Sequence, residues 1–229
     1  ALARAYAQYL HCTDRTEEDS CGKCTSCVAH SKLQHPDLHW AFPFFKKDSS
    51  GRSISDPFQT DWREVMLDSA YVGQEEWLAK IGADKKQLFI SVDEALEINR
   101  KLGLKAFHGG YKVLIFWLPE TMRVDTANKL LKLIEEPTDN TVMLFVSQNS
   151  DRLLATILSR LQRVKVPRLS DEDAASGLAK IEGLTIDQAM GWVHVTEGNI
   201  TAAKRLAKSG SETPVLELFS AWMRACWAR

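Results

Sequence analysis

The chain has 229 residues, 45% of them hydrophobic, which is enough for one large or two smaller domains with an ordinary core. Its 29 basic and 30 acidic side chains give a formal net charge of −1, which excludes a global positive field that would recruit nucleic acid. No stretch approaches about 18 consecutive apolar residues and no charged-then-apolar leader opens the chain, so we expect a cytoplasmic protein with no membrane partner.

Four closely spaced cysteines follow a predicted amphipathic helix over residues 1–11. Their spacing, Cys-x8-Cys-x2-Cys-x2-Cys, is formed by Cys12, Cys21, Cys24 and Cys27. The odd total of five cysteines favours reduced thiols over disulfides. Four thiolates at this spacing predict a structural zinc knuckle over 12–27, closed to water and therefore non-catalytic. We expect the fifth cysteine, Cys226, to pack in a helical core.

Residues 40–87 are predicted to be an insertion, to which the sequence assigns no function. The chain leaves a short helix at His35-Pro36-Asp37-Leu38 and becomes extended, and residues 41–60 have a loop-like composition. Helical periodicity predicts two helices, over 61–70 and 73–82. An aromatic and basic cluster could stack on single-stranded nucleic acid, although we expect a loop packed on its own domain. The cluster comprises Trp40, Phe42, Phe44, Phe45, Lys46 and Lys47.

Strands and helices alternate from Leu88 onwards. The predicted strands are 88–90, 112–118, 141–147 and 163–166, and the predicted helices are 93–102, 125–135 and 153–161. Near-continuous apolar strands that alternate with helices indicate a parallel sheet covered on both faces. The predicted fold class of residues 1–167 is therefore α/β, with a layout typical of nucleotide-binding proteins.

The strand pattern stops after Pro167. Ser170 is a predicted N-cap for a helix over 171–181, whose first turn is acidic. Helices over 186–196 and 200–208 complete a small bundle. Pro214 is well placed to start one more helix, which is still running at the last residue of the sequence.

Three segments resemble the AAA+ core of bacterial clamp-loader subunits: residues 112–118, 127–137 and 155–160. The cysteine spacing is also similar to that of the zinc knuckle in this family, and the resemblance covers residues 1–38 and 88–208. It implies an AAA+ (P-loop NTPase-like) core over 1–167 that lacks its first strand and phosphate loop. It further implies a helical lid over 168–210 and, over 211–229, the start of a truncated helical collar domain.

The resemblance implies a degenerate nucleotide site. Trp117 and Leu118 occupy the position where active members carry Asp-Glu, which holds magnesium and polarises water. Glu120 lies two residues further on, where a turn residue is expected, and one displaced carboxylate does not rebuild a magnesium site. Thr201 stands in place of the lid arginine, and a hydroxyl cannot replace a guanidinium. Intrinsic ATPase activity is therefore not expected.

Ser159 and Arg160 resemble the first two residues of the family's Ser-Arg-Cys motif, with Leu161 in place of the cysteine. In the family, this arginine reaches the γ-phosphate of ATP on the neighbouring subunit. The resemblance thus implies a catalytic role in trans for Arg160 with Ser159, with ATP only on the neighbour and structural Zn²⁺ in this chain. The alternative is an ordinary surface arginine, close to Arg152 and Arg163.

The resulting hypothesis is a largely non-hydrolysing arm of a clamp loader. It would assemble with gamma/tau and delta subunits and help to load the sliding clamp on primed DNA. A second hypothesis is an ATP-hydrolysing gamma/tau subunit, which an intact Gly-x4-Gly-Lys-Ser/Thr upstream of Ala1 would favour. A third is a stand-alone zinc-dependent nucleic-acid-binding module, which predicts salt-dependent DNA affinity for the isolated chain.

Overall fold

The protein is described here by a computed structural model that covers residues 1–46, 51–69, 71–83, 86–107, 110–209 and 222–227. The chain divides into two compact units, Ala1–Arg163 and Val164–Arg229. Over the covered ranges, no helix combines the length and the apolar character needed to cross a bilayer.

A parallel sheet with strand order β1-β2-β3 forms the centre of the first unit. Its strands are β1 (Leu38–Ala41), β2 (Lys112–Trp117) and β3 (Thr141–Val146). The register pairs Leu38 with Val113 and Lys112 with Thr141. The middle strand, β2, is buried along its whole length, as expected for an apolar strand covered on both faces. The predicted α/β fold with a parallel sheet is confirmed.

Helices cover both faces of this sheet. The helices described in the first unit are α1 (Leu2–His11), α2 (Thr25–Ser31), α3 (Gln59–Asp68), α4 (Gln74–Ile81), α5 (Val92–Leu102), α6 (Val124–Glu135) and α7 (Ala155–Leu158). Successive side chains of β2 point to opposite faces. Leu114 and Phe116 belong to a core cluster with residues of α5, α6 and α7. Val113 and Ile115 instead pack in a cluster with Ala7 of α1.

A third, aromatic cluster packs the region between β1 and α5 against the end of β2. Trp62 of α3 lies with its ring centroid 5.1 Å from that of Trp77 on α4 and 4.9 Å from that of Trp117. The indole N–H of Trp77 donates to the carbonyl of Pro43 at 2.7 Å. The two helices predicted here are present with shifted ends, and they form part of the core of this unit.

The strand predicted over 88–90 forms only isolated bridges. Phe89 pairs with Phe44 in an antiparallel bridge, and Ile90 pairs with Met122 in a parallel one. Each bridge involves a single residue pair, so no ladder develops on either side. The strand β1, by contrast, extends into the predicted insertion, because Trp40 and Ala41 pair with β2.

The strand predicted over 163–166 does not form. Val164 and Val166 are exposed by 75% and 65%. An apolar segment becomes a strand only where a neighbouring backbone completes its hydrogen bonds. Within the covered ranges β3 pairs with β2 alone, and its residues are only partly buried.

The second unit is helical, as predicted. It comprises α8 (Asp171–Glu182), α9 (Ile186–Val195) and α10 (Ile200–Ser209). The hydroxyl of Ser170 accepts from the N–H of Asp173 at 3.1 Å, which confirms the predicted N-cap. Buried side chains of the three helices form a core that includes Leu178, Val193 and Ala203.

The helix predicted from Pro214 onwards falls largely outside the described residues. Its predicted start at Pro214 lies there, as does Lys47 of the aromatic and basic cluster. Residues 222–227 are helical. Cys226 is exposed on this helix, so its predicted place in a core is wrong.

Candidate functional site

The four knuckle cysteines are positioned by two helix ends and the turn between them. Cys12 is the C-cap of α1, and Cys24 is the N-cap of α2. Cys27 lies in the first turn of α2 and is 1% exposed. Gly22 follows Cys21 with φ of +71°, a left-handed conformation that glycine adopts without a steric penalty.

The cysteine sulfurs form a compact cluster of the right size for one metal ion. All four Sγ atoms lie within 4.8 Å of one another. The separations are 4.0 Å between Cys21 and Cys27 and 3.9 Å between Cys24 and Cys12. A tetrahedral site with Zn–S bonds of about 2.3 Å has S–S edges of about 3.8 Å. The predicted set of four ligands is therefore brought together, and it fits a tetrahedral thiolate-bound metal.

Backbone amides stabilise the sulfurs of the knuckle. The N–H groups of Cys21, Cys24 and Cys27 donate to the sulfurs of Cys12, Cys21 and Cys24 at 3.3, 3.3 and 3.4 Å. The backbone N–H groups of Cys27 and Thr13 lower the pKa of Cys24 to about 5. Burial raises the pKa of Cys27 to about 12. Metal binding has to displace the remaining thiol protons, so occupancy of the site depends on pH.

Three buried histidines, which the sequence analysis did not select, lie beside the knuckle. His11, His30 and His35 are 8%, 4% and 5% exposed, and each offers a ring nitrogen within 4.8 Å of the others. The rings of His11 and His35 stack with centroids 4.0 Å apart and planes inclined by 10°. Burial lowers the pKa of His30 to about 3, and its two histidine neighbours add to this effect.

Hydrogen bonds fix the proton positions in this histidine cluster. Nε2 of His11 lies 2.8 Å from the carbonyl of Tyr111 and has to donate, because a carbonyl only accepts. In a neutral imidazole one nitrogen donates and the other accepts, so with a neutral ring Nδ1 of His11 accepts from Nε2 of His30, at 2.7 Å. Nδ1 of His35 accepts from the N–H of Asp37, which places the proton on Nε2, 3.4 Å from Ser26 Oγ. The cluster is thus a hydrogen-bonded bridge between the two knuckle helices and the segment before β2.

Ser159 and Arg160 lie on the surface directly after α7, and both are exposed. Ser159 is the C-cap residue of this helix, and its hydroxyl donates to the carbonyl of Thr156 at 3.2 Å. Arg160 pairs with Glu135 at the end of α6, with its Nη2 2.5 Å from Oε1. The fold therefore presents the guanidinium at the surface.

The carboxyl end of β2 is apolar where active family members would carry acids. Trp117 and Leu118 are 7% and 2% exposed and belong to the aromatic cluster. Glu120 is more than a turn residue, because its Oε1 accepts from the backbone N–H of Gln148 at 3.0 Å and of Asn149 at 3.3 Å. It thereby joins the end of β2 to the loop after β3. Thr201, at the predicted lid position, is a half-buried residue of α10.

The aromatic side chains at the start of the predicted insertion are buried. Phe42, Phe44 and Phe45 are 0%, 1% and 7% exposed. Lys86 covers the ring of Phe45, with its Nζ 3.7 Å from the centroid. These rings therefore pack on their own domain, as expected, and offer no open face on which a nucleic-acid base could stack.

A family model described as "DNA polymerase III, delta subunit" matches residues 1–170, about three quarters of the chain. The chain belongs to this family. The match includes the cysteine knuckle, the whole parallel sheet and the Ser-Arg motif. The resemblance drawn from the sequence motifs is therefore confirmed at the level of the family.

Several curated bacterial proteins are similar to most of this chain. The DNA polymerase III subunit delta' of Haemophilus influenzae is 29% identical over 162 residues, which is 71% of this chain and 37% of that protein. The subunit delta' of Escherichia coli K12 is 24% identical over 208 residues, which is 90% of this chain and 50% of that protein. A subunit gamma/tau of Mycobacterium bovis is 26% identical over 193 residues, which is 82% of this chain and 26% of that protein. The chain spans half or less of the length of these curated relatives.

Proposed function

We propose that this protein acts as a delta-prime-type arm of a bacterial DNA polymerase III clamp loader. The arm does not hydrolyse ATP itself and lends Arg160, with Ser159, to ATP bound by a neighbouring gamma/tau subunit. Together with the delta subunit it helps to place the sliding clamp on primed DNA in the cytoplasm. In this proposal, residues 1–167 are the AAA+ core, 168–210 the lid and 211–229 the start of a collar domain.

The proposal rests on the contrast between two places in the core unit, the carboxyl end of β2 and the surface after α7. Where an ATPase of this family needs acidic groups, Trp117 and Leu118 are buried in an aromatic cluster and contribute no charge. The guanidinium of Arg160, on the other hand, lies at the surface. An arginine given in trans stabilises charge on a transferring phosphoryl group and accelerates related reactions by ~10³ to 10⁵.

The proposal includes a structural metal ion bound by the four cysteines of the knuckle. Its sulfur separations of 3.9 and 4.0 Å suit Zn²⁺, which prefers a closed tetrahedral set of thiolates. The ion would join the end of α1 to the start of α2. It would supply no chemistry to the nucleotide, since all of its positions are filled by protein ligands.

Reconstitution tests the trans role of Arg160. The full-length protein is assembled with gamma/tau and delta subunits, clamp and primed DNA, and Arg160→Ala is compared with the matched surface variant Arg152→Ala. We expect hydrolysis at the adjacent nucleotide to slow by about 10³-fold in Arg160→Ala, with assembly retained. Arg152→Ala should hydrolyse ATP like the wild type. Unchanged hydrolysis in Arg160→Ala would overturn the proposal.

A gamma/tau-type ATPase is the second candidate, favoured by the 26% identity to the Mycobacterium bovis subunit over 82% of this chain. The two candidates differ in whether the isolated full-length protein hydrolyses ATP. Sustained turnover without partners, together with an intact phosphate-loop motif upstream of Ala1, would select the gamma/tau function. The apolar end of β2 supports the non-hydrolysing arm.

A further inference from the structure

The guanidinium of Arg160 is bound on both of its edges by groups of its own chain. Nε and Nη2 each lie 2.5 Å from Oε1 of Glu135. Nη1 donates to the carbonyl of Thr156 at 2.7 Å and to the hydroxyl of Ser159 at 3.3 Å. Four contacts thus engage the planar fork with which an arginine binds a carboxylate or a phosphate.

The fold places Glu135 and Arg160 together although 25 positions separate them. Glu135 is the last residue of α6, which ends just before Pro137. Arg160 follows α7, whose Ile157 is fully buried in the same core cluster as Leu130 of α6. The two helix ends therefore lie side by side because their buried faces share one core.

We propose that Glu135 holds Arg160 in a resting position, and that the triphosphate on a neighbouring subunit has to displace this carboxylate before the arginine can act. This inference rests on the proposed function of Arg160. A carboxylate and a phosphate compete for the same donors of a guanidinium, and Glu135 already occupies the edge formed by Nε and Nη2. Glu135 is thus a positioning residue that acts through Arg160 and does not itself touch nucleotide.

The strength of the pair sets the size of the expected effect. The side chains of Arg160 and Glu135 are 34% and 46% exposed. Ion pairs at such exposure are screened by water and salt. We therefore expect the pair to shift the equilibrium between bound and released Arg160 by only about twofold to fivefold. Glu135 therefore delays the arginine without preventing its use, and a neighbouring triphosphate with several charges outcompetes it.

Removing the carboxylate in the reconstituted assembly tests the inference. Glu135→Gln is compared with Glu136→Gln, which loses the same charge one residue along; Glu136 takes part in none of the ion pairs of the described residues. We expect kcat/KM for hydrolysis at the adjacent nucleotide to rise about twofold to fivefold in Glu135→Gln and to stay unchanged in Glu136→Gln. With Arg160→Ala as background, Glu135→Gln should change nothing, because its effect passes through Arg160.

A second measurement observes the pair directly. In the full-length subunit without partners, the NMR signal of the Arg160 Nε–H group should shift in Glu135→Gln and stay in place in Glu136→Gln. A fall in hydrolysis for Glu135→Gln would mean that the carboxylate orients the arginine productively, which overturns the resting position. Equal hydrolysis in the two glutamine variants, while Arg160→Ala is slow, would overturn this inference alone. If Arg160→Ala hydrolyses normally, the proposed function fails first, and this inference with it.

Discussion

Nδ1 of His11 and Nε2 of His30 lie 2.7 Å apart, so that a single proton serves both rings. The contact joins the last residue of α1 to α2, while the other nitrogen of His11 binds the carbonyl of Tyr111 next to β2. Hydrogen bonds therefore connect the knuckle to the segment before β2, whereas the sulfur cluster joins only the parts of the knuckle to one another. Substitutions in the histidine cluster and in the cysteine set should therefore have different effects: the first should reduce stability, and the second should remove the metal.

Replacing His30 should weaken folding without removing the metal. His30→Ala removes a buried hydrogen bond to His11, so we expect the free energy of unfolding to fall by about 1–3 kcal/mol. The zinc content should stay near one per chain, because the four sulfurs are untouched. Denaturant unfolding and elemental analysis measure the two quantities.

His194→Ala is the matched control for this experiment, since its side chain is 84% exposed. It should leave both stability and zinc content close to those of the wild type. Two zinc ions per wild-type chain, falling to one in His30→Ala, would identify the histidines as a second metal site and contradict the hydrogen-bonded bridge.

Replacing a knuckle cysteine should remove the metal, unlike the replacement of His30. Cys24→Ser removes one of the four ligands, while the serine hydroxyl can still accept the N-cap hydrogen bond of α2, so we expect loss of zinc and faster hydrogen exchange over residues 12–31. Cys226→Ser, at an exposed cysteine, should keep the metal. Full zinc retention in Cys24→Ser would rule out this ligand set.

The aromatic cluster should make a large contribution to stability. Trp77→Ala leaves a cavity beside Trp62 and removes the donor to the carbonyl of Pro43, which we expect to cost about 3–5 kcal/mol in the free energy of unfolding. Trp227→Ala, at a side chain that is 89% exposed, should change it by less than about 0.5 kcal/mol. Similar denaturation midpoints for the two variants would contradict a core role for this region.

Glu94 should make the stability depend on pH. Burial raises its pKa, although Ser55 donates two hydrogen bonds of 2.7 Å to the carboxylate. The folded state thus binds the proton more tightly than the unfolded state. The resulting stabilisation is complete below the unfolded pKa of about 4.3 and is lost as the pH rises through the folded pKa.

Glu94→Gln removes this titration. The free energy of unfolding of the wild type minus that of the variant should therefore fall as the pH is raised from about 4 through the folded pKa, and should then level off. Denaturant unfolding across this pH range measures the difference. A difference that grows with pH would mean that the hydrogen bonds from Ser55 outweigh the effect of burial.

Helices were predictable because their signals are local. The helix predicted over 93–102 is found as Val92–Leu102, and the N-cap at Ser170 makes its expected hydrogen bond. Strands depend on a neighbour that is often distant in sequence, and for this reason a strand was wrongly predicted for the alternating charged and apolar segment 163–166. The periodicity of α3 and α4 likewise predicted two helices, without indicating that Trp62 packs against Trp117 at the end of β2.

The same distinction applies to the candidate site. The cysteine ligands lie within a span of 16 residues, and their spacing alone predicts the knuckle. The histidine cluster was missed because its members are dispersed, although His11 adjoins Cys12 and His30 follows Cys27 by three residues, close to one helical turn. The contact between Glu135 and Arg160 depends on how α6 and α7 pack, which no local pattern encodes.

The contact of Trp62 with Trp77 and Trp117, at 5.1 and 4.9 Å, has an optical consequence. Indoles this close exchange excitation energy, so the part of the ultraviolet emission that comes from these three of the seven tryptophans reports on three chain segments at once. If α3 and α4 detach from the end of β2, both the wavelength maximum and the polarisation of that emission should change. These three indoles thus form an intrinsic probe of how α3 and α4 pack on the end of β2, without an added label.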